Sequence, residues 1–221
     1  MDNRRGFFIT MEGGEGGGKT TNRHFLAEQL TAEGYEVVVT REPGGTPLAE
    51  RIRELLLSAH EEDFHNDTEL LLMFAARAQH WNVVIAPALA AGKIVLCDRF
   101  VDSSFAYQGA GRGLDMSRIQ QLTEFVLGDA RPDLTLIFDI PVKVGMQRAA
   151  KRATLDRIEN NEIEFFERIR NHFLDLALND STGHYCLVDA NRALDKVQND
   201  LLNTVKTAIQ RKSPQLLRSK H

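Results

Sequence analysis

The run Gly13-Gly14-Glu15-Gly16-Gly17-Gly18-Lys19-Thr20 constrains this chain more than any other feature. It fits the pattern Gly-x4-Gly-Lys-Ser/Thr in full, follows an apolar run at 6–12 and opens a helical pattern at 19–33. A strand, a glycine-rich turn and a helix in that order make a loop that cradles phosphate. Glycines tolerate φ > 0 and turn successive N–H groups inward around an anion. The helix adds the positive end of its dipole at the same point. The whole loop, Gly13, Gly14, Glu15, Gly16, Gly17, Gly18, Lys19 and Thr20, is therefore read as the site for a nucleoside triphosphate. Lys19 is placed to reach the β- and γ-phosphates, and the Thr20 hydroxyl to ligate Mg2+.

Four more short apolar runs, 36–40, 93–98, 133–139 and 185–189, read as strands. Several are continuous rather than alternating, which suits parallel strands covered on both faces. Helical patterns fall between them at 47–58, 67–91, 116–127, 141–152, 162–178 and 193–211. Thr46 and Pro47 make an N-cap and first turn, and Asn66 with Glu69 a capping box. The alternation predicts an α/β, doubly wound, three-layer fold: a five-stranded parallel sheet flanked by helices, the P-loop NTPase fold. One domain is expected over 1–221, with a frayed basic tail at 212–221.

Composition removes several classes. With a net charge of −4 and a pI near 6.0, the chain lacks the basic balance of a general nucleic-acid binder. No stretch is apolar for long enough to span a membrane, and MDNRRGFFIT has no signal-peptide core. Cys97 and Cys186 sit in strand-like runs and read as reduced, buried thiols, which fits a cytoplasmic protein. The histidines form neither HExxH nor a Cys/His cluster, so no transition-metal site is expected.

A small kinase is the expected phosphate-loop class, because the NKxD motif of GTP switches is missing. Asp98 closes the third strand at the ligand edge of such a sheet and is the candidate second Mg2+ ligand. Asp139 ends another strand similarly but also suits the cap of the next helix. An acceptor anion needs its own cations, and Arg41, Arg77 and Arg99 are the candidates.

These residues resemble bacterial thymidylate kinases. The resemblance rests on EGGEGGGKTT, TREPGGTPLAE, ELLLMFAARAQH, DRFVDSSFAYQGAGRG, RPDLTLIFD and LDRIE, in order over nearly the whole chain. It implies that ATP and dTMP give ADP and dTDP, toward dTTP, with Mg2+, in a homodimer built from long helices. It implies that Glu15 lies near the acceptor's 3′-hydroxyl, that Arg99 takes the acceptor phosphate and that Arg77 reads the thymine edge; Arg41, read from its place at a strand end, is expected beside Arg99. Tyr107 would sit by the deoxyribose and disfavour a 2′-hydroxyl, and Ser104 and Gln108 would line the base and sugar pocket. Glu42-Pro43 is expected to be a cis turn. A lid at 148–160 would bring Arg152 or Arg157 over the phosphates, because the residue after the loop acid is Gly16 rather than Arg. The chain departs from the family in three places. The stacking ring often found four residues before the base-reading Arg is Met73 here, so Phe74 is the expected stacker, with Met73 the alternative. Ala153 replaces a lid glycine, and Gly14 an apolar loop residue.

Overall fold

The computed structural model describes residues 6–58, 60–62, 64–152, 156–159 and 161–218. Its strands are β1 (Phe7–Gly13), β2 (Val37–Arg41), β3 (Ile94–Asp98), β4 (Leu134–Asp139) and β5 (Tyr185–Asp189). They form one parallel sheet in the order β2-β3-β1-β4-β5. From β1 the chain crosses to the edge strand β2, returns to place β3 beside β1, and then builds β4 and β5 on the other side. The carboxyl end of β1 is thus the switch point where ligands bind in open α/β sheets.

The side chains of β1 show why the sheet is covered twice. Phe7, Ile9 and Met11 point into a core with Leu26 and Leu30 of α1 (Lys19–Ala32) and Leu201 and Val205 of α9 (Leu194–Lys212). Phe8 points the other way, toward Leu70 and Phe74 of α3 (Asn66–His80) and Ile119 of α6 (Met116–Leu127). Successive strand residues face opposite sides, so a strand buried on both reads as an unbroken apolar run. A third core packs Ile137 of β4 against Phe165, Phe166 and Ile169 of α8 (Ile163–Leu178).

The remaining helices are α2 (Pro47–Leu57), α4 (Ala86–Ala90), α5 (Val101–Ser104), α7 (Val142–Arg152) and α10 (Gln215–Arg218). Thr46 caps α2 as expected, accepting from the Ala49 N–H at 3.1 Å. The capping box of α3 does not form. His65 Nδ1 accepts from the Asp67 N–H at 3.3 Å, and the Glu69 carboxylate turns inward to other partners. The helix expected over 67–91 widens into a π turn at Trp81–Ile85 before continuing as α4. Pro87 supplies the cause: it has no N–H to donate and its ring crowds the turn before it. A second π turn, Phe105–Gly111, follows α5 and was not expected. Residues 213–218 do not fray: α10 forms there and Leu216 is buried in the first core. Residues 219–221 lie outside the described ones. Cys97 is buried, Cys186 half-buried, and both are free thiols.

Candidate active site

The glycine loop leaves β1 and turns into α1 with three residues at positive φ, Gly13 at 125°, Gly16 at 69° and Gly18 at 78°. Side chains are also excluded by contact. A Cβ on Gly13 would lie 2.4 Å from the Phe138 carbonyl oxygen, and one on Gly16 2.1 Å from that of Gly145. β4 and α7 therefore brace the loop from behind. The Lys19 ammonium is buried and donates to the Gly13 carbonyl at 3.0 Å and the Gly14 carbonyl at 2.6 Å. Burial, followed by the Arg99 charge, brings its pKa down from 10.5 to about 8. The Thr20 hydroxyl donates to Asp98 Oδ2 at 3.3 Å, so a hydroxyl and a carboxylate meet beside the loop.

Arg99, just past β3, approaches the same loop from the other side. Its φ of 66° is unusual for a residue with a side chain. Arg99 Nη1 donates to the Gly13 carbonyl at 3.0 Å, Nη2 pairs with Glu15, and the guanidinium lies 4.8 Å from the Tyr107 ring centre. Lys19 Nζ and Arg99 Nη1 each lie 3.0 Å from the same Gly13 oxygen, so they stand no more than 6.0 Å apart. Burial lowers the Arg99 pKa, but Glu15, Tyr107, Asp98 and Glu12 outweigh it and hold the group above its ordinary value. The Tyr107 hydroxyl donates to Glu15 Oε1 at 2.8 Å. Beneath Arg99 lies Glu12, fully buried, which accepts from the Phe100 N–H at 2.7 Å and the Ser103 hydroxyl at 2.5 Å. Burial, then the Asp102 charge, raises its pKa from 4.5 to about 7.

The loop and the Arg99 wall share one cleft of about 590 Å³, within the range of small-molecule sites. Arg41, Arg77, Ser104, Tyr107 and Gln108 all line it. Arg77 is buried, with Nε donating to Glu42 Oε2 at 2.7 Å, Nη1 to Ser104 Oγ at 2.9 Å and Nη2 to the Phe100 carbonyl at 3.0 Å. The turn before α2 holds Glu42-Pro43 in the cis form, and Arg41 Nη2 pairs there with Glu50 Oε2 at 2.8 Å.

Three expected residues sit elsewhere. Phe74 is 2% exposed in the second core and stacks under Arg77, 4.7 Å from its guanidinium, while Met73 lines the cleft. One helix position turns a side chain by about 100°, enough to swap core for cleft. Arg157 does not face the phosphate loop. Its Nε donates to the Leu56 carbonyl at 2.9 Å, its Nη2 pairs with Glu69, and Phe64 covers it at 4.7 Å. Asp139 is taken by Arg170 in a two-bond pair of 2.7 and 3.1 Å and offers no metal site. The Arg152 side chain and Ala153 lie outside the described residues.

Two cleft cations escaped the sequence reading. Arg53, on α2, is half-buried and donates to the Pro43 carbonyl at 3.0 Å. Burial, then Arg41, lowers its pKa. Arg148, on α7, lines the cleft with Nη1 on the Ala190 carbonyl at 3.0 Å. The signal for Arg53 is its spacing from Glu50, three residues along one helical face. Arg148 stands at the first position of the expected lid segment, where nothing in the sequence distinguishes it from a solvated surface charge.

The thymidylate kinase family model matches residues 11–201. The chain is 61% identical over 196 residues to a thymidylate kinase of Pseudomonas fluorescens (strain Pf0-1), a stretch covering 89% of this chain and 93% of that relative. It is 59% identical, with the same coverage, to a thymidylate kinase of Ectopseudomonas mendocina (strain ymp). Among solved structures, a thymidylate kinase from Ehrlichia chaffeensis superposes with a TM-score of 0.74 at 36% identity, covering 91% of this chain and 99% of that one.

Proposed function

The chain belongs to the thymidylate kinase family, and on that premise we propose that its cleft seats ATP and dTMP end to end, loop on the donor and Arg99 on the acceptor. The enzyme transfers the γ-phosphoryl group of ATP to dTMP, giving dTDP and ADP. The observation that carries this assignment is the Gly13 carbonyl shared by Lys19 and Arg99 at 3.0 Å each. Two cations from opposite walls meet at one point, where a transferring phosphoryl group needs charge on both sides.

Phosphoryl transfer asks chiefly for alignment and charge neutralisation. Loop N–H groups and Lys19 hold the donor phosphates, and Arg99, with Arg41 nearby, orients the acceptor phosphate. That acceptor oxygen is already anionic at neutral pH, so no strong general base is required. Glu15 accepts from Arg99 and Tyr107 together and so fixes both beside the acceptor sugar. Arg77, Ser104 and Gln108 line the base end, with Met73 rather than Phe74 against the base. The 148–160 segment acts as the lid. Its Arg157 anchors to Glu69, and Arg148 and Arg152 are its cations for the phosphates.

The family's reaction calls for a divalent metal, and the residues fit Mg2+. The Thr20 hydroxyl and Asp98 carboxylate lie 3.3 Å apart beside the loop, a hard-oxygen pair that suits a cation completing its shell with waters and phosphate oxygens. Bound there, Mg2+ would neutralise donor phosphate charge.

A homodimer and a cytoplasmic setting complete the proposal. α2, α3 and α6 pack side by side and present Leu55, Leu71 and Phe125, the last 88% exposed; a second copy covering this face would bury them. No described helix is long and apolar enough to cross a membrane, and both thiols are free. The direct test of function is ADP release with dTMP, dUMP and thymidine as acceptors. Turnover with the monophosphates and none with thymidine supports the reading, whereas ATP binding without turnover on any acceptor contradicts it.

A further inference from the structure

Behind Arg77 lies a set of buried polar side chains that bond to one another rather than to the phosphate loop, while the Glu42 backbone N–H donates to the Asp98 carbonyl at 2.9 Å. Glu42 uses both carboxylate oxygens on α3: Oε2 accepts from Arg77 Nε at 2.7 Å, and Oε1 meets His80 Nδ1 at 3.0 Å. The far ring nitrogen, His80 Nε2, meets Thr40 Oγ1 at 2.6 Å. His80 is fully buried, and Glu42 and Arg77 are nearly so. Gly45, at φ 84°, closes over the ring; a Cβ there would lie 2.4 Å from His80 Nε2 and 2.7 Å from Thr40 Oγ1. The imidazole is thus walled on one side and bonded at both nitrogens.

This arrangement fixes a plane. A carboxylate only accepts, so the Nδ1 facing Glu42 carries a hydrogen and donates it. With both oxygens committed, Glu42 cannot turn, and Arg77 Nε is held at one angle. Phe74 and Phe100 lie beside the guanidinium at 4.7 and 5.7 Å. Three of the five donors of a guanidinium are then spent on Glu42, Ser104 and Phe100. One N–H on each Nη remains for the cleft.

We propose that Glu42 and His80, seated on Thr40, are positioning residues that set the Arg77 fork, and that they thereby select an acceptor base presenting a carbonyl over one presenting an amino group. This rests on Arg77 facing the base. An arginine has donors and no acceptor, so a carbonyl oxygen satisfies the fork while an exocyclic amino group leaves donors opposed. The discrimination is sharp only if the fork cannot tilt, and holding it is the work of Glu42 and His80.

The test uses the full chain with four variants: His80→Leu, His80→Asn, Glu42→Gln and Arg77→Met. For each, the KM for dTMP, the KM for ATP, kcat and competitive inhibition by dCMP are measured, with a thermal melt to establish folding. His80→Leu removes both ring bonds and should raise the dTMP KM about tenfold, the scale of one hydrogen bond to a charged group. The ATP KM and dCMP inhibition should stay within about twofold, so selectivity contracts. His80→Asn, which places an amide donor near the Nδ1 position, should restore most of the loss; a merely space-filling role would show no such rescue. Glu42→Gln keeps the volume and should behave like His80→Leu, which covers the case in which the leucine variant does not fold. If Arg77→Met weakens dTMP while folded His80→Leu and Glu42→Gln leave its KM and selectivity unchanged, the positioning role is wrong. It is equally wrong if those two variants raise both substrates' KM values alike. If Arg77→Met itself leaves dTMP binding unchanged, Arg77 does not face the base, and both readings fall.

Discussion

Replacing Glu12 by glutamine removes a charge from beneath the cleft while keeping its shape. In the folded protein Glu12 is fully buried, and its pKa rises from 4.5 to about 7 through burial first and the Asp102 carboxylate second. Between those values the unfolded chain has lost the proton and the folded one keeps it. The unfolded state binds fewer protons there, so stability falls as pH rises from about 4.5 to about 7. Below that window the carboxyl is protonated in both states and carries no ionisation cost. Above it the cost levels off at about 3 kcal/mol, taking about 1.4 kcal/mol per tenfold change in proton affinity. The Glu12→Gln amide oxygen can still accept from the Phe100 N–H, and its NH2 can donate to the Ser103 hydroxyl oxygen. Wild type and variant should therefore have nearly equal stability at pH 4.5, and the variant should be more stable at pH 8 by up to about 3 kcal/mol. Urea unfolding at the two pH values, fitted as two-state transitions, measures the difference. A gap that does not change with pH, or a variant less stable at pH 8, would refute the reasoning.

Other substitutions separate neighbouring roles. Met73→Ala should raise the dTMP KM several-fold with little loss of stability, while Phe74→Ala should cost about 3–5 kcal/mol in unfolding, as for other buried aromatics; the reverse pattern would return the base contact to Phe74. Gly16→Ala places a methyl 2.1 Å from the Gly145 oxygen at a φ of 69°. It should impair ATP binding and cost at least about 1–3 kcal/mol of strain, and an unaffected ATP KM would show that the loop can shift away from α7. Arg157→Ala strips one cation from the buried Glu69 carboxylate and should lower stability by about 1.5–3 kcal/mol. A variant that melts like wild type but loses kcat would instead place Arg157 over the phosphates.

All five strands begin and end within one residue of where the apolar runs placed them. They were legible because strands buried on both faces leave an unbroken apolar signature. The π turn at Phe105–Gly111 was not, since it is buried nearly throughout and shows no periodic face. Glu69 shows how a local signature can mislead. Three residues after Asn66 it looks like half of a capping box, but its carboxylate takes Gln108 and Arg112 from the second π turn and its cap, and Arg157 from beyond α7. Chain order placed the loop, Asp98 and Arg99 at one edge of the sheet because strand ends fix their positions there. It could not place the side chains of Met73 or Arg157, which depend on helix rotation and on contacts with Leu56 and Glu69 far along the chain. The partnership of Glu42 with His80 was equally hidden, since 38 residues separate them.

On the proposed reading, the two cations that meet at the Gly13 carbonyl divide the substrates between them, Lys19 on the donor and Arg99 on the acceptor. Calorimetric titration of ATP and of dTMP separately into wild type, Lys19→Ala and Arg99→Ala tests that division most directly. The prediction is that Lys19→Ala weakens ATP and leaves dTMP near its wild-type affinity, while Arg99→Ala does the opposite. If both substitutions weaken the same nucleotide and spare the other, the two walls do not hold separate substrates and the division is wrong.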